Sequence, residues 1–153
     1  MTGRIETRLQ ELGIVLPAPP APVASYVPAL VSGKQVFVSG QIPMEGGKPR
    51  YIGTIGQDLT LEQGQGAARL CAINILAQVG ALVPLDTVVR CVRLGVFVNA
   101  VPGFTQAPEV ANGASDLMVA VFGAAGKHTR SAVGAASLPR HVAVEVEAIF
   151  EIE

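Results

Sequence analysis

The clearest alternation of apolar and polar positions lies at the end of the chain. From Val142 onward the even positions are apolar (Val142, Val144, Val146, Ala148, Phe150, Ile152), and Glu145, Glu147, Glu151 and Glu153 occupy odd ones. Period two over this length predicts a strand with one face in a core. Ser131 to Ser137 is also strand-like. Leu138-Pro139-Arg140-His141 between the two runs reads as a turn, because Pro139 supplies no ladder donor. The expectation is an antiparallel hairpin in which Gly134 opposes Glu145 and Ala132 opposes Glu147. That register puts Arg130, Ala132, Gly134, Glu145 and Glu147 on one face, a cation and two carboxylates over a floor of small side chains.

Upstream, Thr2 to Leu12 predicts a short amphipathic helix, capped by Thr2, with Ile5, Leu9 and Leu12 on one side and Gly13 at its end. Pro17 to Pro22 is an extended connector. Tyr26 to Val31 and Gln35 to Ser39, joined at Ser32-Gly33-Lys34, predict a hairpin. Glu45-Gly46-Gly47-Lys48 is a further turn, followed by a short strand at Arg50 to Ile52. Thr60 and Gln63 form a capping box. It opens a helix whose stripe runs Ala67, Leu70, Cys71, Asn74, Ile75, Val79 and which stops at Gly80. Gly64 and Gly66 weaken its start or let something pack close. Thr87 to Ala100 predicts a long strand, apolar on both sides and therefore central and covered on both. Pro108 to Phe122 predicts a second helix with Val110, Leu117, Met118 and Val121 inward.

The order β-β-(β)-α-β-α-β-β predicts one α+β domain over residues 1–153, with residues 1–25 as a helix and proline-rich leader. It has two layers, a mixed β-sheet with two helices on one face. The other sheet face stays uncovered, which suits a symmetric oligomer.

Composition narrows the function classes. Of 153 residues half are hydrophobic and 15% are charged, so apolar surface is left over for subunit contacts. Lys and Arg number 11 against 12 acids. That balance gives no electrostatic case for nucleic acid or for an anionic membrane. Cys71 and Cys91 read as small buried hydrophobes, which fits a reducing cytoplasm. His128 and His141 are isolated from other ligand types, so no metal is expected. Gly64-x-Gly66 has no strand before it and no third glycine, and is no dinucleotide loop.

Several spaced motifs then agree. Ser39-Gly40-Gln41-Ile42-Pro43 after a strand, Arg130-Ser131-x-Val133, Leu138-Pro139 and Val144-Glu145-Val146-Glu147-Ala148 resemble the YjgF/YER057c/UK114 (Rid) family. The resemblance runs from about Tyr26 to the end. The amino-terminal helix and the Asn112-Gly113-Ala114-Ser115-Asp116-Leu117 stretch resemble a longer subfamily. It implies a chorismate-mutase-like fold and a homotrimer with clefts between subunits. In the family's archetypes those clefts hydrolyse reactive enamines and imines of small 2-amino acids to 2-oxo acids and ammonia, without a cofactor.

The resemblance puts the carboxylate-binding arginine at Arg130 and the water-activating, catalytic glutamate at Glu145. Ser39, Gly40 and Ser131 fall on substrate-binding positions. Tyr26 lies near an aromatic pocket position, and Asn112 where a neighbouring subunit's asparagine borders the cleft. Ala132 replaces a cysteine frequent in archetypes, and Gly134 an often polar position, so the pocket is wider and less polar. Bland roles stand beside these: Arg130 pairing with Glu147 across the hairpin, Ser39-Gly40 ending a strand, Glu145 as one of four solvated acids. A non-catalytic trimer that binds a small carboxylate, and a ribonuclease or translation inhibitor, are the alternative functions.

Overall fold

A computed structural model describes residues 3–19 and 24–153. The expected Thr2 cap and residues 20–22 of the connector lie outside the described residues. The first helix, α1 (Arg4–Glu11), buries Ile5 and Leu9. Its cap is Gly3, whose own side chain can offer nothing. Instead the Asp86 carboxylate, far along the chain, accepts the Arg4 and Ile5 N–H groups at 3.0 and 2.8 Å. Two of the free donors of the first turn are thereby satisfied from outside the helix. Gly13, at φ +70°, ends the helix as expected.

The strands β1 (Ala29–Ser32) and β2 (Gln35–Gln41) form the first hairpin, with Ser32 opposite Gln35. A tiny second hairpin joins β3 (Met44–Glu45) to β4 (Lys48–Pro49) through Gly46 and Gly47, both at positive φ. Two such residues in sequence are what a tight hairpin turn requires. The short strand expected at Arg50 to Ile52 is reduced to a single bridge from Ile52 to Val142.

Helix α2 (Leu61–Leu82) opens with the Thr60–Gln63 capping box and runs past Gly80. Helix α3 (Ala107–Phe122) crosses it closely, since a Cβ on Gly113 would sit 2.0 Å from the Gln65 carbonyl oxygen. The expected stripes are buried on both helices. Strands β5 (Val88–Asn99), β6 (Thr129–Ala135) and β7 (Val144–Ile152) complete a five-stranded sheet in the order β1-β2-β7-β5-β6.

This topology corrects the expected closing hairpin. The strand β6 does not pair with β7. It lies parallel to β5 at the sheet edge, and β7 is inserted between β2 and β5, antiparallel to both. A strand, the α3 crossover and a parallel strand form the usual unit of a mixed sheet. The Pro139–His141 segment is therefore a long-range connection. Its His141 carbonyl accepts the Gly53 N–H at 2.8 Å, and the Ala143 N–H donates to Tyr51 at 2.9 Å.

Both helices cover one sheet face, where Val36, Leu94, Val96, Val144, Val146 and Phe150 are at most 1% exposed. Among the described residues the other face is uncovered, as expected. The strand β5 is interior in the sheet, yet the described residues cover it on one side alone: Phe97 and Arg93 look out from the open face, half-buried. Cys71 and Cys91 are buried free thiols; burial pushes the Cys91 thiol up to about 12.

Candidate functional site

The site residues fall into two groups on opposite faces of the sheet. Residues paired across neighbouring strands point the same way. Arg130 is opposite Leu94, and Leu94 is opposite Ala148, both in the core. Arg130 therefore leans to the helix side at the sheet edge. Glu145 is opposite Phe97, and Phe97 is opposite Val133, on the open face. The expected shared surface for Arg130 and Glu145 does not exist within one chain. The physical reason is the strand pairing: placing β6 against β5 in place of β7 reverses the face on which Arg130 stands relative to Glu145.

On the helix side, Arg130 Nη1 donates to Asn112 Oδ1 at 2.9 Å and to Ser115 Oγ at 3.0 Å. Asn112 and Ser115 are one helical turn apart on α3, so both reach the same group. The Asn112 that meets Arg130 belongs to the same chain. Ser115 Oγ lies 2.9 Å from His128 Nε2, and His128 Nδ1 lies 2.6 Å from the Gly126 carbonyl oxygen. A guanidinium carries five donors. Both Nη1 hydrogens have partners, while no described residue takes those on Nε and Nη2. That remaining edge is one of the two that fit a carboxylate in parallel bonds. Ala132 follows on the same side, packed against the core.

On the open face, Glu145 is half-buried beside Gly40. A Cβ on Gly40 would lie 2.9 Å from the Glu145 carboxyl carbon, so the acid packs directly over the glycine. Gly40 stands where the β2–β7 register shifts between Val38 and Gln41, a bulge that lets the backbone approach the acid. Burial, and then the neighbouring Glu147, raise the Glu145 pKa above the ordinary glutamate value. The Ser39 N–H donates to the Pro28 carbonyl at 2.9 Å and its hydroxyl to the same oxygen at 3.1 Å. Its backbone donor is therefore already taken.

Ser131 belongs to this open face, away from the Arg130 guanidinium, and accepts from Arg93 Nη2 at 3.2 Å. Arg93, Glu147, Ser39, Phe37, Leu30 and Val27 line a concavity of about 300 Å³ there. Tyr26 is 60% exposed and is not among the residues that line it. Sequence reasoning missed Ser115, His128 and Arg93. Ser115, three residues after Asn112, could have been found from helical spacing alone. His128 and Arg93 needed the β5–β6 pairing. No three potential metal ligands come together among the described residues.

A family model described as "YjgF/chorismate mutase-like, putative endoribonuclease" matches residues 6–151. The chain is 49% identical to Protein TCP17 of Trypanosoma cruzi over 99% of this chain and 96% of that protein. Among solved structures it is similar to Atu1372 of Agrobacterium tumefaciens, of unknown function, at 48% identity and a TM-score of 0.91, covering 97% of this chain and 92% of that one. It is also similar to E. coli TdcF with bound serine, at 25% identity and a TM-score of 0.62, covering 89% and 94%.

Proposed function

The chain belongs to the YjgF/chorismate mutase-like family and has its α+β fold, and from that premise we propose that it is an enamine/imine deaminase acting in clefts between its own copies. The observation that carries the reading is the incompleteness of each half-site. Arg130 keeps a carboxylate-binding edge with no described acid in ion-pair contact with it, and Glu145 is a half-buried acid on the other face. A homotrimer that sets the Arg130 edge of one protomer against the Glu145 face of the next completes both.

In such a cleft the substrate is a small 2-imino acid. Its carboxylate takes two parallel bonds from Arg130 Nε and Nη2. Glu145 removes a proton from a water as the water oxygen bonds to the imine carbon. Glu145 passes that proton to the nitrogen, which gives the carbinolamine. It then takes the carbinolamine hydroxyl proton and hands it to the same nitrogen as the C–N bond breaks, so both water protons leave on ammonia and the 2-oxo acid remains. A carboxyl with a raised pKa suits both halves of this transfer, because it holds a proton long enough to return it. The imine is already electrophilic, so modest acid–base help suffices.

The test is a freshly generated 2-aminoacrylate-type imine with 2-oxo acid followed against time. Loss of the protein-dependent rate in both Arg130→Ala and Glu145→Gln supports the reading; full activity in either sinks it. The separation of the two groups favours one second reading, a trimer that binds small carboxylates at Arg130 without turnover. Serine bound to the similar TdcF is consistent with either. Binding of 2-oxobutanoate with no protein-dependent hydrolysis would select that reading. A ribonuclease is disfavoured by the balance of 11 basic against 12 acidic side chains.

A further inference from the structure

We propose that Ser115 and His128 are positioning residues that anchor Arg130 and aim its Nε–Nη2 edge outward for a substrate carboxylate; this rests on the carboxylate-binding reading of Arg130. Proton bookkeeping gives the chain of bonds one direction. The Gly126 carbonyl accepts only, so the proton on the His128 ring sits on Nδ1, 2.6 Å away. In the neutral imidazole Nε2 is then bare and accepts the Ser115 hydroxyl proton over 2.9 Å. With its proton committed, the Ser115 oxygen offers lone pairs to Arg130 Nη1 at 3.0 Å. Asn112 Oδ1 holds the second Nη1 hydrogen at 2.9 Å. A backbone carbonyl next to the start of β6 thus fixes, through two side chains, a guanidinium at the sheet edge.

A serine hydroxyl on a histidine nitrogen, with an acceptor behind the ring, also has the outline of an activated nucleophile. Two features oppose that role here. The Arg130 N–H donates into the same oxygen whose lone pair an attack would use. The pair is also joined to a guanidinium whose Nε and Nη2 no described residue takes, which makes anchoring the simpler consequence. Long side chains lose affinity when they must be ordered at the moment of binding, and a side chain held beforehand avoids that loss.

The experiment uses the full chain, with 2-oxobutanoate as probe. Its dissociation constant is measured for wild type, Ser115→Ala, Ser115→Thr and His128→Ala, and rotation of the Arg130 guanidinium is followed by 15N NMR. Removing one hydrogen bond to a charged group should weaken binding about tenfold in Ser115→Ala. His128→Ala should move in the same direction, and Ser115→Thr, which keeps the hydroxyl, should recover most of the loss. The Arg130 Nη1 protons should be slow to rotate in wild type and faster in both alanine variants. With the imine, Ser115→Ala should raise KM more than it lowers kcat. Unchanged guanidinium rotation and unchanged 2-oxobutanoate affinity in Ser115→Ala overturn the anchor. So does a loss confined to kcat, which would mark Ser115 as the reacting group. Ordered Nη1 protons in a wild-type protein that binds no 2-oxobutanoate would overturn the carboxylate reading of Arg130 while leaving the anchor itself in place.

Discussion

Mixing two inactive variants gives the sharpest test of a cleft shared between copies. Within one protomer Arg130 and Glu145 point to opposite faces, and β5 lies between their strands. Two strand spacings amount to about 10 Å of lateral separation, before the thickness of the sheet is added. The carboxylate and imine carbon of a 2-imino acid are one bond apart, so one protomer cannot serve both ends. Arg130→Ala removes a bidentate charged contact, worth roughly a hundredfold in kcat/KM, and Glu145→Gln removes the proton acceptor. In each homo-oligomer every cleft lacks one group. When equal amounts are co-assembled at random, about a quarter of the clefts receive intact Arg130 from one chain and intact Glu145 from its neighbour, whatever the ring size. Turnover of the imine should therefore return to about a quarter of the wild-type rate from two nearly silent parents. Native mass spectrometry confirms that mixed oligomers are present. If they are present and the rate stays at the parental level, the shared cleft is wrong.

Further outcomes follow from individual contacts. Gly113→Ala should lower stability by about 1–3 kcal/mol in chemical denaturation, because the new Cβ meets the Gln65 backbone oxygen at 2.0 Å and neither helix can yield cheaply. Asp86→Ala should lower Tm and loosen α1, seen as faster amide exchange at Arg4 and Ile5. The Asp86 carboxyl is held below the ordinary aspartate pKa by the Ile5 and Arg4 N–H groups. Its contribution is therefore present above the unfolded value and lost as pH falls through the folded one, so the Tm gap should close in acid. For Glu145 the sign is opposite: burial raises its pKa, so the folded state loses stability as pH rises through the carboxylate range. Glu145→Gln should leave Tm equal to wild type in acid and raise it at neutral pH, even as turnover is lost.

Helix positions, the α2 capping box and the core stripes were legible because each is local, whereas the α1 cap comes from distant Asp86 and α2 runs past Gly80. The Thr60–Gln63 box, the α3 start at Pro108 and the buried Val144–Val146–Ala148–Phe150 face all follow from spacing within one element. The site was legible as a set of residues and illegible as a geometry. Val142 to Ile152 gives its own two faces correctly, but nothing in that run says which strand lies beside it. Leu138-Pro139 reads as a hairpin turn, yet Arg140 and His141 adopt positive φ and carry the chain back toward Tyr51 and Gly53. The β-α-β order of β5, α3 and β6 held the alternative, a parallel edge strand, and a parallel partner explains the small residues of β6 as well as a hairpin does. Asn112-Gly113 marked a close crossing, as its composition suggests, but the crossing is α3 on α2 and no subunit seam is needed to explain it.

In the proposed shared cleft the open face and the Arg130 edge would be linked through the titration of Glu145. Leu30, Phe37 and Val133 are exposed on that face, each between 38% and 48%, beside two acids. Covering it with another copy removes more water from Glu145 and pushes its pKa further up. A guanidinium from the covering copy acts in the opposite sense, because a cation within a few Å favours the charged carboxylate. The two effects separate in one comparison. Follow the Glu145 carboxyl by 13C NMR in the assembled protein, wild type against Arg130→Ala. If Arg130 of a neighbour faces Glu145, the variant keeps the desolvation and loses the cation, so the Glu145 pKa rises on substitution. Within a single protomer the sheet stands between the groups and the substitution should leave it in place. An unmoved titration in an intact oligomer means that the two groups never share a cleft, and the hydrolytic reading fails with it.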